Sequence, residues 1–254
     1  MLQLATIVHS NDFSIIVVHT KFNFPDPNHL NFTFVPFHDG LSNTYTVSSK
    51  NFIYITSHLN TYCVTPLKEV LNRIIKEKKI SCIIYDGLMH VVDSLARELN
   101  LRTMLFRTTC CTTFLSYHWF PTLQRKGYLS LQILVVCMEI VEELEPLRYK
   151  DLPFFNLRES AIELMVQQTA ESLSVKPSLG IIFNTIKFMK SSSLQKLRNL
   201  YKIGVFFIEP LHMYMTSSET QATSLMKEDY NCITWLNEQE PCSVVYVSLG
   251  SIAS

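Results

Sequence analysis

Short apolar runs rich in β-branched residues alternate along this chain with amphipathic stretches of helical period. That alternation constrains the fold more than any other feature. The runs fall at residues 14–20, 32–35, 81–85, 102–106, 179–184, 204–208 and 243–248. Several are continuously apolar, as strands covered on both faces are, where a half-exposed strand would alternate. Between them, apolar residues recur on one helical face. Met1, Leu4, Ala5 and Val8 share such a face, as do Leu67, Val70, Leu71, Ile74 and Ile75 within 66–79. Further helices are predicted over 88–99, 112–126, 159–173, 191–201 and 232–239. Strands separated by helices predict an α/β fold with a parallel sheet and helices on both faces. Pro36 is expected to end the second strand, and Asp39-Gly40 to turn the chain. The polar stretch at 215–227 reads as a boundary. It divides the chain into a domain over 1–228 and, over 229–254, a linker with the first strand of a second domain. The chain starts in a helix, whereas a doubly wound domain starts with a strand, so the sheet is expected to lack its first strand.

Composition removes several function classes. The six glycines, Gly40, Gly87, Gly127, Gly180, Gly204 and Gly250, are widely spaced. That excludes the three-glycine dinucleotide fingerprint, the P-loop and the Gly-x-Ser-x-Gly elbow. Twenty-two basic residues balance 22 acidic ones, which argues against nucleic-acid binding. Hydrophobic residues make up 47% of the chain, too many for disorder. The seven cysteines include no Cys-x-x-Cys pair, and adjacent Cys110 and Cys111 lack a histidine at ligand spacing. They are expected to be buried free thiols in a reducing compartment, with no metal site. The N-terminus lacks the marks of a signal peptide, and the longest apolar stretch, 131–141, is too short to span a bilayer. The chain is therefore expected to be soluble and cytoplasmic.

In an open parallel sheet, ligands bind beyond the carboxyl ends of the strands. Asp86 follows the strand at 81–85 and precedes a glycine and a helix. Its carboxylate either caps that helix or faces the crevice, where it would orient a histidine. Thr108 and Thr109 follow the strand at 102–106 in the same way, as ligand contacts or caps. Gly250-Ser251, after the strand at 243–248, is a turn of the kind that receives phosphate. Among eight histidines, His38 sits in a loop after a strand and His90 lies four residues beyond Asp86. Both are positioned to line a crevice, or to be ordinary hydrogen-bonded imidazoles. Spacing alone assembles no Ser/His/Asp or Cys/His set.

In order along the chain, Met1-Leu2-Gln3-Leu4-Ala5, His19-Thr20-Lys21-Phe22-Asn23, Phe32-Thr33-Phe34-Val35-Pro36 and Cys82-Ile83-Ile84-Tyr85-Asp86 form one pattern. Lys150-Asp151-Leu152-Pro153, Ile181-Ile182-Phe183-Asn184-Thr185 and Ser243 to Ser251 continue it. Together they resemble the plant UDP-dependent glycosyltransferases, in the N-terminal half of that family. The resemblance implies the GT-B architecture, in which one Rossmann-like domain binds the acceptor and a second binds UDP-sugar. It implies inverting transfer of a sugar, usually glucose, to a hydroxyl of a small lipophilic plant metabolite such as a flavonoid or terpenoid. It implies no metal and no cofactor besides the UDP-sugar co-substrate. Asp86 matches the family's dyad aspartate, which holds and charges a base histidine. Thr108 matches a donor-sugar contact, and Gly250 with Ser251 matches the turn near the donor phosphates. His38, Leu88, His90 and Thr109 would draw the acceptor pocket.

The same resemblance puts the base histidine in a Gly-His segment just before the stretch matching Met1, and the donor signature motif beyond Ser254. The 254 residues alone are therefore expected to have little or no transferase activity. Losing a base costs ~10²–10⁴-fold in rate. The competing expectations are a non-catalytic module that binds an acceptor or a partner, and a poorly folding product of an incomplete gene model.

Overall fold

The computed structural model describes residues 1–21, 31–41, 52–109, 111–129, 138–142, 145, 147–152, 159–185, 191–208, 210–214, 231–245 and 247. The first half runs α1 (Leu2–His9), β1 (Ile16–Thr20), β2 (Thr33–Phe37), α2 (Phe52–Tyr62), α3 (Val64–Glu77), β3 (Ile83–Asp86) and α4 (Val91–Glu98). It continues with β4 (Thr103–Arg107), α5 (Cys111–Tyr117), α6 (Phe120–Arg125), α7 (Glu159–Ser174), β5 (Gly180–Asn184), α8 (Ser191–Leu200), β6 (Val205–Ile208) and α9 (Asn231–Asn237). Every strand pair among the described residues is parallel, as the alternation predicts. β1 pairs with β2, and β3, β4, β5 and β6 form a four-stranded sheet in sequence order.

Side chains of a strand alternate between faces, and here both faces are covered. Tyr85, Leu105, Ile181 and Phe183 join Leu67, Leu71, Val92, Leu95, Phe114 and Leu197 in the larger core. Their neighbours Ile84, Phe106 and Ile182 face the opposite way, against Leu4 and Val8 of α1 and Leu211. This explains the continuous apolar runs. Leu105, Phe114, Ile181 and Phe183 are almost wholly shielded, each contributing about 1.5–3 kcal/mol of burial. Ile16, Val18, Val35 and Phe37 belong to the same core, so the two sheets share one helical layer. A smaller cluster around Phe120, Leu123, Ile162 and Val166 seals α6 against α7.

Several local expectations change. β2 runs through Pro36, which pairs with His19. A residue without an N–H is tolerated in a strand with a single partner. The predicted helix at 112–126 is two helices, because Pro121 must sit in a first turn, where no amide donor is needed. α2 was not expected: its buried residues are Ile55, Thr56 and Asn60, too polar for an apolar period. Of the strand predicted at 243–248, the described residues are not in a strand. They have no neighbouring strand among the described residues, and Val245 is 86% exposed. Cys63 and Cys111 are buried, but Cys232 and Cys242 are exposed. Burial, with Asp39 nearby, pushes the Cys63 thiol up to about 11, so it is unreactive. The boundary stretch at 215–227 lies outside the described residues. No described helix is long and apolar enough to cross a membrane.

The aromatic end of the core carries a titratable group. His118 stands edge-on to Phe114 and Tyr201, with Nε2 3.2 Å from the Tyr201 hydroxyl and Nδ1 3.3 Å from the Phe114 carbonyl. Burial lowers its pKa from 6.5, and Arg107 lowers it further, against the carbonyls of Phe114 and Leu115. The unfolded chain therefore takes up the proton first on acidification. The stability that His118 contributes is whole above pH 6.5 and falls as pH drops below it. The urea midpoint should decline more steeply between about pH 7.5 and 5.5 in the wild-type chain than in His118→Gln. Equal slopes would contradict a proton-excluding site at His118.

Candidate functional site

The chain leaving β3 makes a turn that borrows its hydrogen-bond partners from elsewhere. Asp86 Oδ1 accepts the Leu88 N–H at 2.9 Å, and the Asp86 carbonyl accepts the Met89 N–H at 2.8 Å. Asn60 of α2, 7% exposed, donates to the Leu88 carbonyl at 2.6 Å and accepts the Val91 N–H at 3.1 Å. Ser172 of α7 donates to the Gly87 carbonyl at 2.6 Å. α4 therefore begins at Val91 rather than at residue 88, and Asn60 caps its first N–H from another helix. The Asp86 side chain closes the turn and does not cap α4. That leaves one carboxylate oxygen clear of the turn's bonds.

Arg107, the last residue of β4, lies against this turn. It is 5% exposed, and Nη2 donates to the Ser172 carbonyl at 3.1 Å and to Ser172 Oγ at 2.6 Å. The guanidinium covers the Phe114 ring at 4.5 Å, a cation–π contact. A Cβ on Gly87 would come within 2.5 Å of the guanidinium, so the close approach requires glycine there. Burial lowers the Arg107 pKa, and the Asp86 charge opposes the shift. Burial likewise lowers the Met1 amino group from 8.0, and Asp86 again opposes. Asp86 thus acts on two cations, one at the end of β4 and one at the start of α1.

The carboxyl ends of the strands hold shielded polar atoms that have no partner among the described residues: Arg107 Nε, Thr109 Oγ1 and Asn184 Oδ1. Buried polar groups are nearly always satisfied, so orphans gathered at one end of a sheet mark a place for a polar ligand or water. Thr108 is exposed beside them, and Leu88 is 43% exposed on the turn. His90 Nε2 reaches Glu171 Oε2 at 3.1 Å. His38 is exposed and accepts the Gly40 N–H at 3.2 Å, within a loop that His58 ties through the Asp39 carbonyl at 2.7 Å. The structure therefore brings Asp86, Leu88 and His90 together on one turn, with Thr108 and Thr109 following the adjacent strand. Among the described residues, no hydrogen bond connects His38 to that turn. Gly250, Ser251 and Cys110 lie outside the described residues.

Sequence reasoning missed Asn60, Arg107, Ser172 and Asn184. Only Arg107 left a signal, as a charge closing an otherwise apolar strand. No group of three metal-ligating side chains occurs among the described residues.

No protein-family model matches the chain. UDP-glycosyltransferase 76B1 of Arabidopsis thaliana is 38% identical over 258 residues, which cover 100% of this chain and 56% of that protein. UDP-glycosyltransferase 76H1 of Stevia rebaudiana is 37% identical, covering 100% of this chain and 59% of its own length. The chain spans about half the length of the curated relatives it matches. Among solved structures, Os79 from O. sativa in complex with UDP superposes with a TM-score of 0.70 at 17% identity, covering 100% of this chain and 58% of that one. Phytolacca americana UGT2, complexed with UDP-2fluoro-glucose and pterostilbene, gives a TM-score of 0.67 at 15% identity, covering 94% of this chain and 53% of that one. These structures share the GT-B fold, and the parallel sheet described above is its Rossmann-like N-terminal part.

The contact between Gly87 and Arg107 makes a coupled prediction. Gly87→Ala should cost about 1–3 kcal/mol of stability by overpacking. In an Arg107→Ala background the same change should cost at most a few tenths, because the clashing guanidinium is gone. Urea denaturation of the four proteins of the cycle checks this, and additive losses would contradict the contact.

Proposed function

This chain belongs to the plant UDP-glycosyltransferase family, matched from end to end, and on that premise we propose that it supplies the acceptor-binding side of an inverting sugar transfer. The donor is a UDP-sugar, most simply UDP-glucose, and it is a co-substrate, with no metal or other cofactor. The acceptor is a hydroxyl on a small lipophilic plant metabolite. The acceptor oxygen loses its proton to a base histidine and bonds to the anomeric carbon, while the bond from that carbon to the UDP oxygen breaks. Asp86 holds the histidine and offsets the charge that the ring gains, as an oriented carboxylate does in other dyads.

The observation that carries this reading is the position of Asp86. The dyad requires that the chain entering α1 meet the end of β3, and the Met1 amino group lies within the electrostatic reach of Asp86. The turn is rigidly braced, as a group that orients a base needs. Thr108 would contact the donor sugar from the next strand, and Leu88, His90, Thr109 and His38 would line the acceptor side. Gly250 and Ser251 would meet the donor phosphates.

The division at residues 228 and 229 belongs to the same proposal. Ile233, Trp235, Leu236, Val244, Val245 and Val247 are exposed. Such an apolar surface on α9 and the segment after it supports packing against a donor-binding domain. The enzyme would work in the cytosol, where UDP-sugars and free thiols coexist.

A chimera tests the proposal. In it, the matched stretch of UDP-glycosyltransferase 76B1 is replaced by this chain. Glucose transfer from UDP-glucose to a panel of hydroxylated acceptors is expected, and Asp86→Asn should lower kcat by about 10²-fold or more. A folded chimera without transfer, or undiminished turnover in Asp86→Asn, would overturn it.

A further inference from the structure

His90 is not spent on the fold in the way its position suggests. It occupies the N-cap site of α4 but makes no side-chain cap bond: backbone carbonyls take the Val92 and Asp93 N–H groups, and Asn60 takes that of Val91. Its ring turns instead to α7. Nε2 lies 3.1 Å from Glu171 Oε2 and 3.3 Å from Gln168 Oε1. Gln168 in turn donates its amide to Glu171 Oε2 at 3.3 Å, which fixes Gln168 Oε1 as the atom facing the imidazole. Both neighbours of Nε2 are acceptors, so Nε2 carries the hydrogen. In the neutral ring Nδ1 then holds the lone pair, and no described residue bonds it. A carboxylate fixing one ring nitrogen so that the other presents a directed lone pair is the arrangement of an oriented acceptor. It stands four residues past Asp86 on the turn that carries Leu88.

We propose that His90, oriented by Glu171 and Gln168, is a specificity-determining residue that accepts a hydrogen bond from a hydroxyl on the bound acceptor. The inference rests on the acceptor-binding reading above and adds a substrate class to it. The favoured molecules are polyhydroxylated aromatics, which offer an O–H to Nδ1 besides the hydroxyl that reacts. O-methylated analogues cannot donate and leave the nitrogen lone pair unpaired, the kind of loss by which polar sites reject close isosteres. Carboxylated analogues meet the Glu171 charge behind the ring. His90 acts on selection, leaving sugar transfer itself to the groups around Asp86.

The test uses the purified 254-residue chain and two stilbenes of nearly equal size, resveratrol and its dimethyl ether pterostilbene, with Kd read by calorimetry or ligand-observed NMR. The wild-type chain should bind resveratrol about 5- to 10-fold more tightly, the worth of one hydrogen bond. His90→Phe keeps the ring volume and should bring the ratio to about one. Glu171→Gln should narrow it while keeping the imidazole, and it stands as the second variant if His90→Phe does not fold. A ratio unchanged in the folded variants, or no preference in the wild type, overturns the inference. Failure of both stilbenes to bind the wild-type chain overturns the acceptor-binding reading beneath it. A merely structural His90–Glu171 tie would shift the urea midpoint and leave the ratio alone.

Discussion

The five residues from Asp86 to His90 form an irregular turn between a strand and a helix, and their backbone groups are satisfied by side chains drawn from distant parts of the chain. Asn60 comes from α2, Ser172 from α7, and the Asp86 carboxylate from the turn itself. A buried carbonyl or amide left without such a partner costs about 1–3 kcal/mol. The turn is therefore stable only once α2 and α7 have packed across it. Their meeting, through Tyr54 and Ser160 among others, is a condition of the site as well as of the core.

Arg107 couples this turn to the next strand. A buried cation is tolerated when hydrogen bonds and an aromatic face replace water, and Ser172 and Phe114 do so here. Ser172 serves both partners, receiving from Arg107 and donating to Gly87. The charge of Asp86 acts on the same guanidinium. One hydroxyl, one guanidinium and one glycine thus set where the carboxylate stands. The Thr109 and Asn184 oxygens, which have no partner among the described residues, lie at the ends of the neighbouring strands, so polar capacity collects on one side of the sheet.

Much of the fold was legible because its strands are covered on two faces. Continuous runs such as Ile181-Ile182-Phe183 can only be interior, and their order gave the parallel sheet. α2 was illegible because two of its three buried residues, Thr56 and Asn60, are polar: Thr56 bonds the Phe52 carbonyl of its own helix, and Asn60 bonds the turn after β3. The start of α4 was misread for a related reason, since its cap lies 31 residues away in sequence and local signals point at Asp86. The place of Asp86 at a strand end was readable from the chain, but its role came from resemblance to a family. The bracing by Arg107 and Ser172 depends on contacts across 65 residues, which no local pattern encodes. The predicted last strand had the right composition, but among the described residues it has no partner to form a ladder with.

Whether the start of α1 meets the end of β3 is the geometric claim on which the reading of the site stands. The titration of the Met1 amino group, followed by NMR on the folded chain and on Asp86→Asn, measures it directly. The account predicts an amine held below its ordinary value by burial in the wild-type chain and lowered further in Asp86→Asn, where the opposing carboxylate charge is gone. A folded Asp86→Asn chain whose Met1 amine titrates as in the wild type would contradict it.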